Sequence, residues 1–108
     1  MARTLKNLYA SNSLTASKTE VVAAVTGTKR YLKKATFTNN TGSTVSVDLY
    51  IDPDGATEIQ LVDTKYLIDT ETWSVPGFEG HVLEAAGTID VTASATGVDL
   101  VITGIEIT

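Results

Sequence analysis

Residues 33–52 read KKATFTNNTGSTVSVDLYID and carry the strongest indication of the fold class. In their second half, apolar and polar side chains alternate, which is the spacing of a β-strand with one buried face. The inward set is Val45, Val47, Leu49 and Ile51. The residues at 39–42, Asn-Asn-Thr-Gly, are types that favour turns. This stretch therefore predicts a β-hairpin that turns at residues 39–42.

Similar segments continue along the chain. They predict strands at residues 20–25, 29–38, 44–51, 57–68, 70–75, 81–85, 88–95 and 98–107. Turn sequences such as Asp-Pro-Asp-Gly at 52–55 separate them. Regularly spaced short strands of this kind are typical of sandwiches and jelly rolls. We therefore predict an all-β fold, a single antiparallel β-sandwich or jelly-roll-like domain of about seven or eight strands.

The last predicted strand changes its alternation near the end. Ile105 and Ile107 have the opposite parity to the apolar residues at 98, 100 and 102, and Gly104 lies between the two sets. A glycine inside a strand often marks a bulge, which shifts the alternation by one residue. The pattern predicts a bulge at or beside Gly104 that returns Ile105 and Ile107 to the core side.

The N-terminal segment fits the sandwich pattern less well. We predict an extended arm and linker at residues 1–19, followed by the β-sandwich domain at residues 20–108. The alternative is that the arm is a first strand of the sandwich. Because the apolar side chains of the arm have no obvious place in the core pattern, we expect them to contact a partner protein. Arg3 and Lys6 are included because they could meet an acidic partner surface, and Tyr50 is included because it shares the outward face with polar residues. The predicted interface residues are therefore Arg3, Leu5, Lys6, Leu8, Tyr9 and Tyr50.

Composition and charge restrict the possible functions. The 108 residues include no cysteine, so disulfides and thiolate metal sites are excluded. The formal net charge is −5, whereas nucleic-acid binders are more often basic. Residues 66–108 contain no Lys or Arg, so positive charge is concentrated earlier in the chain. This asymmetry has two interpretations: two solvated faces, or complementary contact with a neighbouring protein.

The candidates for chemistry are sparse. His81 is the only histidine, and catalytic triads and most zinc sites need a histidine with partners. The turn at 52–55 with Glu58 resembles part of a calcium loop but lacks its remaining ligands. The acid pairs at 69/71 and 79/84 suggest glycoside hydrolysis only if a cleft separates them. We expect no enzymatic activity, no metal and no cofactor.

Four segments bear a family resemblance. They are RYLKKATFTN at 30–39, VSVDLYI at 45–51, VLEAAGTI at 82–89 and VITGIEI at 101–107. Together they resemble a group of small β-sandwich proteins encoded among the virion genes of tailed bacteriophages, over roughly residues 20–107. The matching positions are turn and core positions, so the resemblance implies no catalytic residues.

The resemblance implies a structural role on the virion, which is assembled in the host bacterial cytoplasm. Head decoration or cementing as a homo-oligomer, commonly a trimer on the major capsid protein, is the leading expectation; a neck, collar or tail accessory protein is the alternative. Neither nucleic acid nor membrane is an expected partner. A small carbohydrate- or receptor-binding module is the other hypothesis, and it would require Tyr66, Trp73 and Phe78 to be exposed.

Overall fold

The structure is a computed structural model that describes residues 3–12 and 14–108. Residues 1, 2 and 13, which belong to the predicted arm and linker, lie outside the described residues. The described part of the chain forms strands and no helix. The strands are β1 (Arg3–Ser11), β2 (Thr19–Val22), β3 (Lys29–Asn39), β4 (Val45–Asp52), β5 (Ile59–Leu67), β6 (Thr72–Ser74), β7 (Val82–Leu83), β8 (Thr88–Ala93) and β9 (Val98–Ile107).

The strands form two antiparallel sheets. Sheet A has the order β1-β9-β3-β6, with β7 also paired to β3, and sheet B has the order β2-β8-β4-β5. The chain passes to the other sheet after most strands, except that β4 and β5 are neighbours in sheet B and β6 and β7 both belong to sheet A. Without β7 this is the eight-strand order of a jelly roll. The predicted all-β sandwich is therefore confirmed. The strand count exceeds the prediction because residues 3–11 form a strand as well.

Alternating side chains from the two sheets meet in one core. β4 shows the pattern most clearly, because every second residue from Val45 to Ile51 is buried. The core also contains large side chains from loops, including Leu14 and Phe78. Burial of such side chains is the main favourable contribution to folding.

The predicted hairpin at residues 33–52 is wrong. β3 belongs to sheet A and β4 belongs to sheet B, so residues 40–44 pass from one sheet to the other. The side chain of Asn39, which is fully buried, explains the sharp corner. Its Nδ2 donates hydrogen bonds to the carbonyl oxygens of Ser43 (2.7 Å), Leu67 (3.0 Å) and Ile68 (3.1 Å). Its Oδ1 accepts from the backbone N–H and the hydroxyl of Thr41, at 3.0 and 2.7 Å.

The same residue joins a second crossing between the sheets. The segment from β5 to β6 also passes from sheet B to sheet A, next to the β3–β4 corner. There the backbone N–H of Asn39 donates to the carbonyl of Glu71, and its carbonyl accepts from Thr70, both at 2.9 Å. Asn39 therefore fixes two loops to each other as well as closing its own turn.

Arg30, at the other end of β3, is also buried. Its Nη1 donates to the carbonyl of Ala23 at 2.6 Å, and its Nη2 donates to the carbonyls of Gly87 at 3.0 Å and Glu84 at 3.4 Å. Burial lowers the pKa of Arg30, and the nearby carboxylate of Glu106 opposes that shift. Arg30 thus ties the loop before β3 to the loop between β7 and β8.

The segment predicted as an arm is the edge strand β1, paired antiparallel with β9. The register shifts between Asn7 and Tyr9, so Leu8 is the extra residue of a β-bulge. Both Leu8 and Tyr9 pack against the core. This arrangement matches the alternative interpretation, in which the N-terminal segment is a first strand of the sandwich and not a free arm. Whether residues 20–108 fold independently stays a prediction.

The predicted bulge at Gly104 is not in β9. The pairing of β9 is continuous, and the extra residues lie in its two neighbours, at Leu8 of β1 and Lys33 of β3. Ile105 and Ile107 consequently stay on the outer face of sheet A. Gly104 occupies a core-side position that has no room for a side chain, because a Cβ there would lie only 2.6 Å from the carbonyl oxygen of Tyr31 and 2.7 Å from Leu8.

Replacement of Asn39 by alanine should destabilise the domain strongly. Leu67 O and Ser43 O would lose their donor inside the protein, and each buried unsatisfied group costs about 1–3 kcal/mol. We expect Asn39→Ala to lower the free energy of unfolding by about 2–4 kcal/mol. Asn40→Ala, at the neighbouring position, removes only an exposed hydrogen bond to Asp99 and should stay within about 0.5 kcal/mol in the same urea titration. Equal effects at the two positions would contradict the role given to Asn39.

Two leucines of β1 provide a matched test of this strand. Leu8 packs on the core, whereas Leu5 is 72% exposed. Leu8→Ala should lower the free energy of unfolding by about 2 kcal/mol, and Leu5→Ala by less than about 0.5 kcal/mol. Deletion of residues 1–13 should destabilise the domain for the same reason. An unchanged melting temperature after that deletion would show that β1 is a dispensable arm.

Candidate protein-interaction surface

An apolar patch covers the outer face of sheet A at the end where β9 finishes. The pairing places Leu5 opposite Ile105, Ile105 opposite Tyr31, and Tyr31 opposite Val82. Directly opposed residues of antiparallel strands share a face, so these four side chains form one row across four strands. Ile107, two residues along β9, lies beside this row. We call Leu5, Tyr31, Val82, Ile105 and Ile107 the outer patch.

The outer patch is accessible despite its apolar character. Leu5 is 72% exposed and Tyr31 is 44% exposed. A depression of about 240 Å³ lies among Arg3, Tyr31, Ile105 and Ile107. In a sandwich, the apolar side of each strand is normally buried in the core and the polar side is exposed to water. An apolar row on the solvent side is therefore a departure from what folding alone requires.

Basic side chains stand on both sides of the outer patch. Arg3 and Lys29 lie opposite Ile107 in the row on one side, and Lys34 lies opposite Thr103 in the row on the other. Lys29 pairs with Glu84 at 3.5 Å across an exposed surface. Within residues 3–12 and 14–108, neither Arg3 nor Lys34 has a salt-bridge partner. The patch thus combines apolar area with positive charge in an acidic protein.

The outer face of sheet B has the opposite character. One row across it contains Glu20, Asp90, Tyr50 and Gln60. Asp48 lies on the same face, and its carboxylate accepts hydrogen bonds from the backbone N–H of Thr64 (2.7 Å) and the hydroxyl of Thr92 (2.7 Å). We call Glu20, Asp48, Asp52 and Asp90 the acidic face. The uneven charge of the sequence thus corresponds in part to two different faces.

The six predicted interface residues do not lie together. Arg3 and Leu5 belong to the outer patch or its rim. Lys6 instead pairs with Glu106 at 3.2 Å, near the Arg30 end of β3. Leu8 and Tyr9 are half-buried and contact the core of their own chain. Their contact with a partner protein stays a prediction.

Tyr50 lies on the far side of the sandwich from β1. It is half-buried on the outer face of sheet B, and the Lys18 ammonium stands 4.3 Å from its ring centroid. A cation over an aromatic face is a favourable contact. Lys18 also forms an ion pair with Glu58 and lies 3.9 Å from Asp90. Tyr50 is therefore engaged within the chain.

The prediction did not assign four residues of the outer patch to an interaction surface: Tyr31, Val82, Ile105 and Ile107. Their signal was present in the sequence, because Ile105 and Ile107 have the parity of the outward side of β9. The prediction treated this parity as an error that a bulge would correct. The structure retains the alternation and places the two isoleucines outside.

The aromatic side chains do not form a stacking platform. Phe78 is buried, and Trp73 is half-buried beside Phe37 with ring centroids 6.4 Å apart. Lys65 stands 5.3 Å from the centroid of the Trp73 ring. Tyr66 is exposed, so the three aromatics required by a carbohydrate-binding module are not exposed together.

The sequence that resembled part of a calcium loop forms a hydrogen-bonded turn. Asp52 accepts from the backbone N–H of Gly55 at 2.7 Å. Asp54 accepts from the backbone N–H groups of Ala56 at 2.9 Å and Thr57 at 3.1 Å, and these bonds lower the pKa of Asp54. Glu58 pairs with Lys18 instead of completing a ligand set.

The remaining acid pairs also have local partners. Asp69 and Glu71 accept backbone hydrogen bonds from Gly42 and Ile68. Glu79 and Glu84 form exposed ion pairs with Lys33 and Lys29. Among the described residues, no group of three or more acidic or histidine side chains is arranged to hold a metal ion. The same part of the chain contains no helix long and apolar enough to cross a lipid bilayer.

Asp90 offers a test of the electrostatics of the acidic face. Burial raises the pKa of Asp90, and Glu58, Glu20 and Asp52 add to the shift, while Lys18 opposes it. A carboxyl group with a raised pKa in the folded state contributes stability below its unfolded pKa of about 3.9, and this contribution is lost as the pH rises through the folded value.

We therefore expect Asp90→Asn to raise the free energy of unfolding at pH 7, by on the order of 0.5 kcal/mol. Near pH 3 the gain should disappear, because the wild-type carboxyl is then protonated as well. Urea titrations at both pH values check this, with Asp63→Asn on the exposed part of β5 as the control. A loss of stability at pH 7 would mean that the contact with Lys18 outweighs burial.

Comparison with known proteins gives a likeness of fold. No protein-family model matches the chain, and no curated protein matches it. Among solved structures, it is similar to a chain in the crystal structure of the T13 IBDV viral particle, with a TM-score of 0.57 and 8% sequence identity. The match covers 96% of this chain and 30% of the other, so this chain spans less than a third of that protein. At this identity the comparison shows that a viral-particle protein contains a similar fold.

Proposed function

We propose that the protein is a non-enzymatic structural component of a virus particle. The observation that carries this proposal is the fold itself: almost the whole chain superimposes on part of a viral-particle protein. Jelly rolls recur in viral capsids, although they also occur in lectins and cupins, so the fold alone is an argument by analogy. The outer patch adds an independent reason, because exposed apolar areas on small soluble domains often mark protein contacts.

The finer proposal is a decoration or cementing protein on the head of a tailed bacteriophage, bound as a homo-oligomer. It is supported by the sequence resemblance at residues 30–39, 45–51, 82–89 and 101–107. A neck, collar or tail accessory protein has the same physical requirements and is the alternative. Both require a stable domain with surfaces for other virion proteins, and neither requires an active site.

The function is tested on purified particles. Antibody against the purified protein would probe particles banded on a density gradient from a culture that expresses the gene. We expect the protein to band with the particles and to remain after a second gradient. Protein found only in the soluble fraction, with particles free of it, would contradict a structural role.

The mass of the purified protein in solution distinguishes the finer proposals. Light scattering behind a sizing column should give a discrete trimer for a decoration protein. A ring of five, six or twelve copies would instead favour the neck or tail. A monomer at micromolar concentration would contradict a preformed homo-oligomer and leave assembly to the particle.

A further inference from the structure

The outer patch leaves apolar surface without cover from its own chain. The described loops and strands leave Leu5 largely exposed and Tyr31 partly exposed, and the depression beside them is open to solvent. The row spans β1, β9, β3 and β7, so it is a continuous surface across four paired strands. Interfaces of this kind obtain most of their binding energy from a few buried aromatic and aliphatic side chains.

The charges around the patch argue against a second copy placed face to face. Such an arrangement would bring Arg3 and Lys34 of one copy, which have no salt-bridge partner among the described residues, close to the same cations of the other. Like charges brought together across an interface disfavour that partner. The cations instead match a surface with carboxylates around an apolar centre.

The acidic face of a second copy does not meet this description well. Three of its four carboxylates already have partners within the chain: Asp48 accepts from Thr64 and Thr92, Asp52 accepts from Gly55, and Asp90 lies near Lys18. Its centre is Tyr50, which lies under Lys18 and is not free apolar surface. A stack formed through opposite faces would also extend without closing, unlike a discrete oligomer.

We propose that the outer patch docks on a different protein, an apolar site with acidic residues at its rim on the shell of the particle. This rests on the proposed structural role and specifies which surface performs it. Leu5, Tyr31 and Ile105 supply the apolar contact, and Arg3 and Lys34 supply the charge that orients it. The acidic face then points away from the shell.

The test uses particles assembled without this protein, from a genome in which its gene is interrupted. Purified protein is added back, and the bound fraction is measured by sedimentation over a range of concentrations. Leu5→Thr/Ile105→Thr removes apolar area while retaining residues suited to strands. Arg3→Glu/Lys34→Glu reverses the charge. We expect each double variant to bind at least about tenfold more weakly.

A matched control lies on the opposite sheet. Ile59→Thr/Tyr66→Thr removes two exposed side chains of β5, outside the patch. It should bind as the wild type does. Thermal unfolding of each variant confirms that it is folded. Higher salt should weaken wild-type binding and strengthen binding of the charge-reversed variant, because salt screens attraction in the first and repulsion in the second.

The outcomes separate the patch from the function. If wild type and both patch variants bind equally, the outer patch is not the docking surface, while the structural role stands. If wild type itself does not bind, both proposals fail. If Leu5→Thr/Ile105→Thr dissociates a homo-oligomer in solution, the outer patch binds a second copy of this chain. The assignment to a shell protein is then overturned.

Discussion

The buried amide of Asn39 is the constraint on which the arrangement of the two sheets depends. It occupies one end of β3, and Arg30 occupies the other, about 30 Å away at the rise of an extended strand. Between them β3 pairs with β9 on one side and with β6 and β7 on the other. Each buried side chain ties β3 to a crossing or loop, in addition to backbone bonds such as those from Thr70 to Asn39 and from Val25 to Ala85. Loops at both ends of the sandwich are thus attached to β3.

Strand positions were largely predictable from the sequence, whereas the sheet that each strand joins was not. The limits of β9 agree with the prediction, and those of β3 and β4 agree within a residue. Alternation is a local property, and it records which side of a strand is buried. The turn sequence at 39–42 specifies a change of direction only. The contacts that send β4 into the other sheet join Asn39 to residues 67–71, far along the chain.

The interaction surface was predictable only in part for a related reason. Adjacent apolar residues such as Leu8 and Tyr9 are compatible with a helix, an arm or a bulge, and the structure shows a bulge. The pair Lys33 and Lys34, between the buried Leu32 and Ala35, marks the matching bulge in β3. Once both bulges lie in the neighbours of β9, Ile105 and Ile107 face outward beside Leu5 and Tyr31. Bringing these side chains together depends on how four strands pair with one another, and the sequence of a single segment does not contain that information.

The proposed docking has one consequence for orientation: on a particle, sheet A would face the shell and sheet B would face solvent. A cryo-electron microscopy reconstruction of particles that carry the protein tests this most directly. We expect density for Leu5, Tyr31 and Ile105 against an acidic-rimmed apolar site of a shell protein, with Asp48 and Asp90 facing outward. Density that places the acidic face against the shell, or that leaves the outer patch in solvent, would contradict the account.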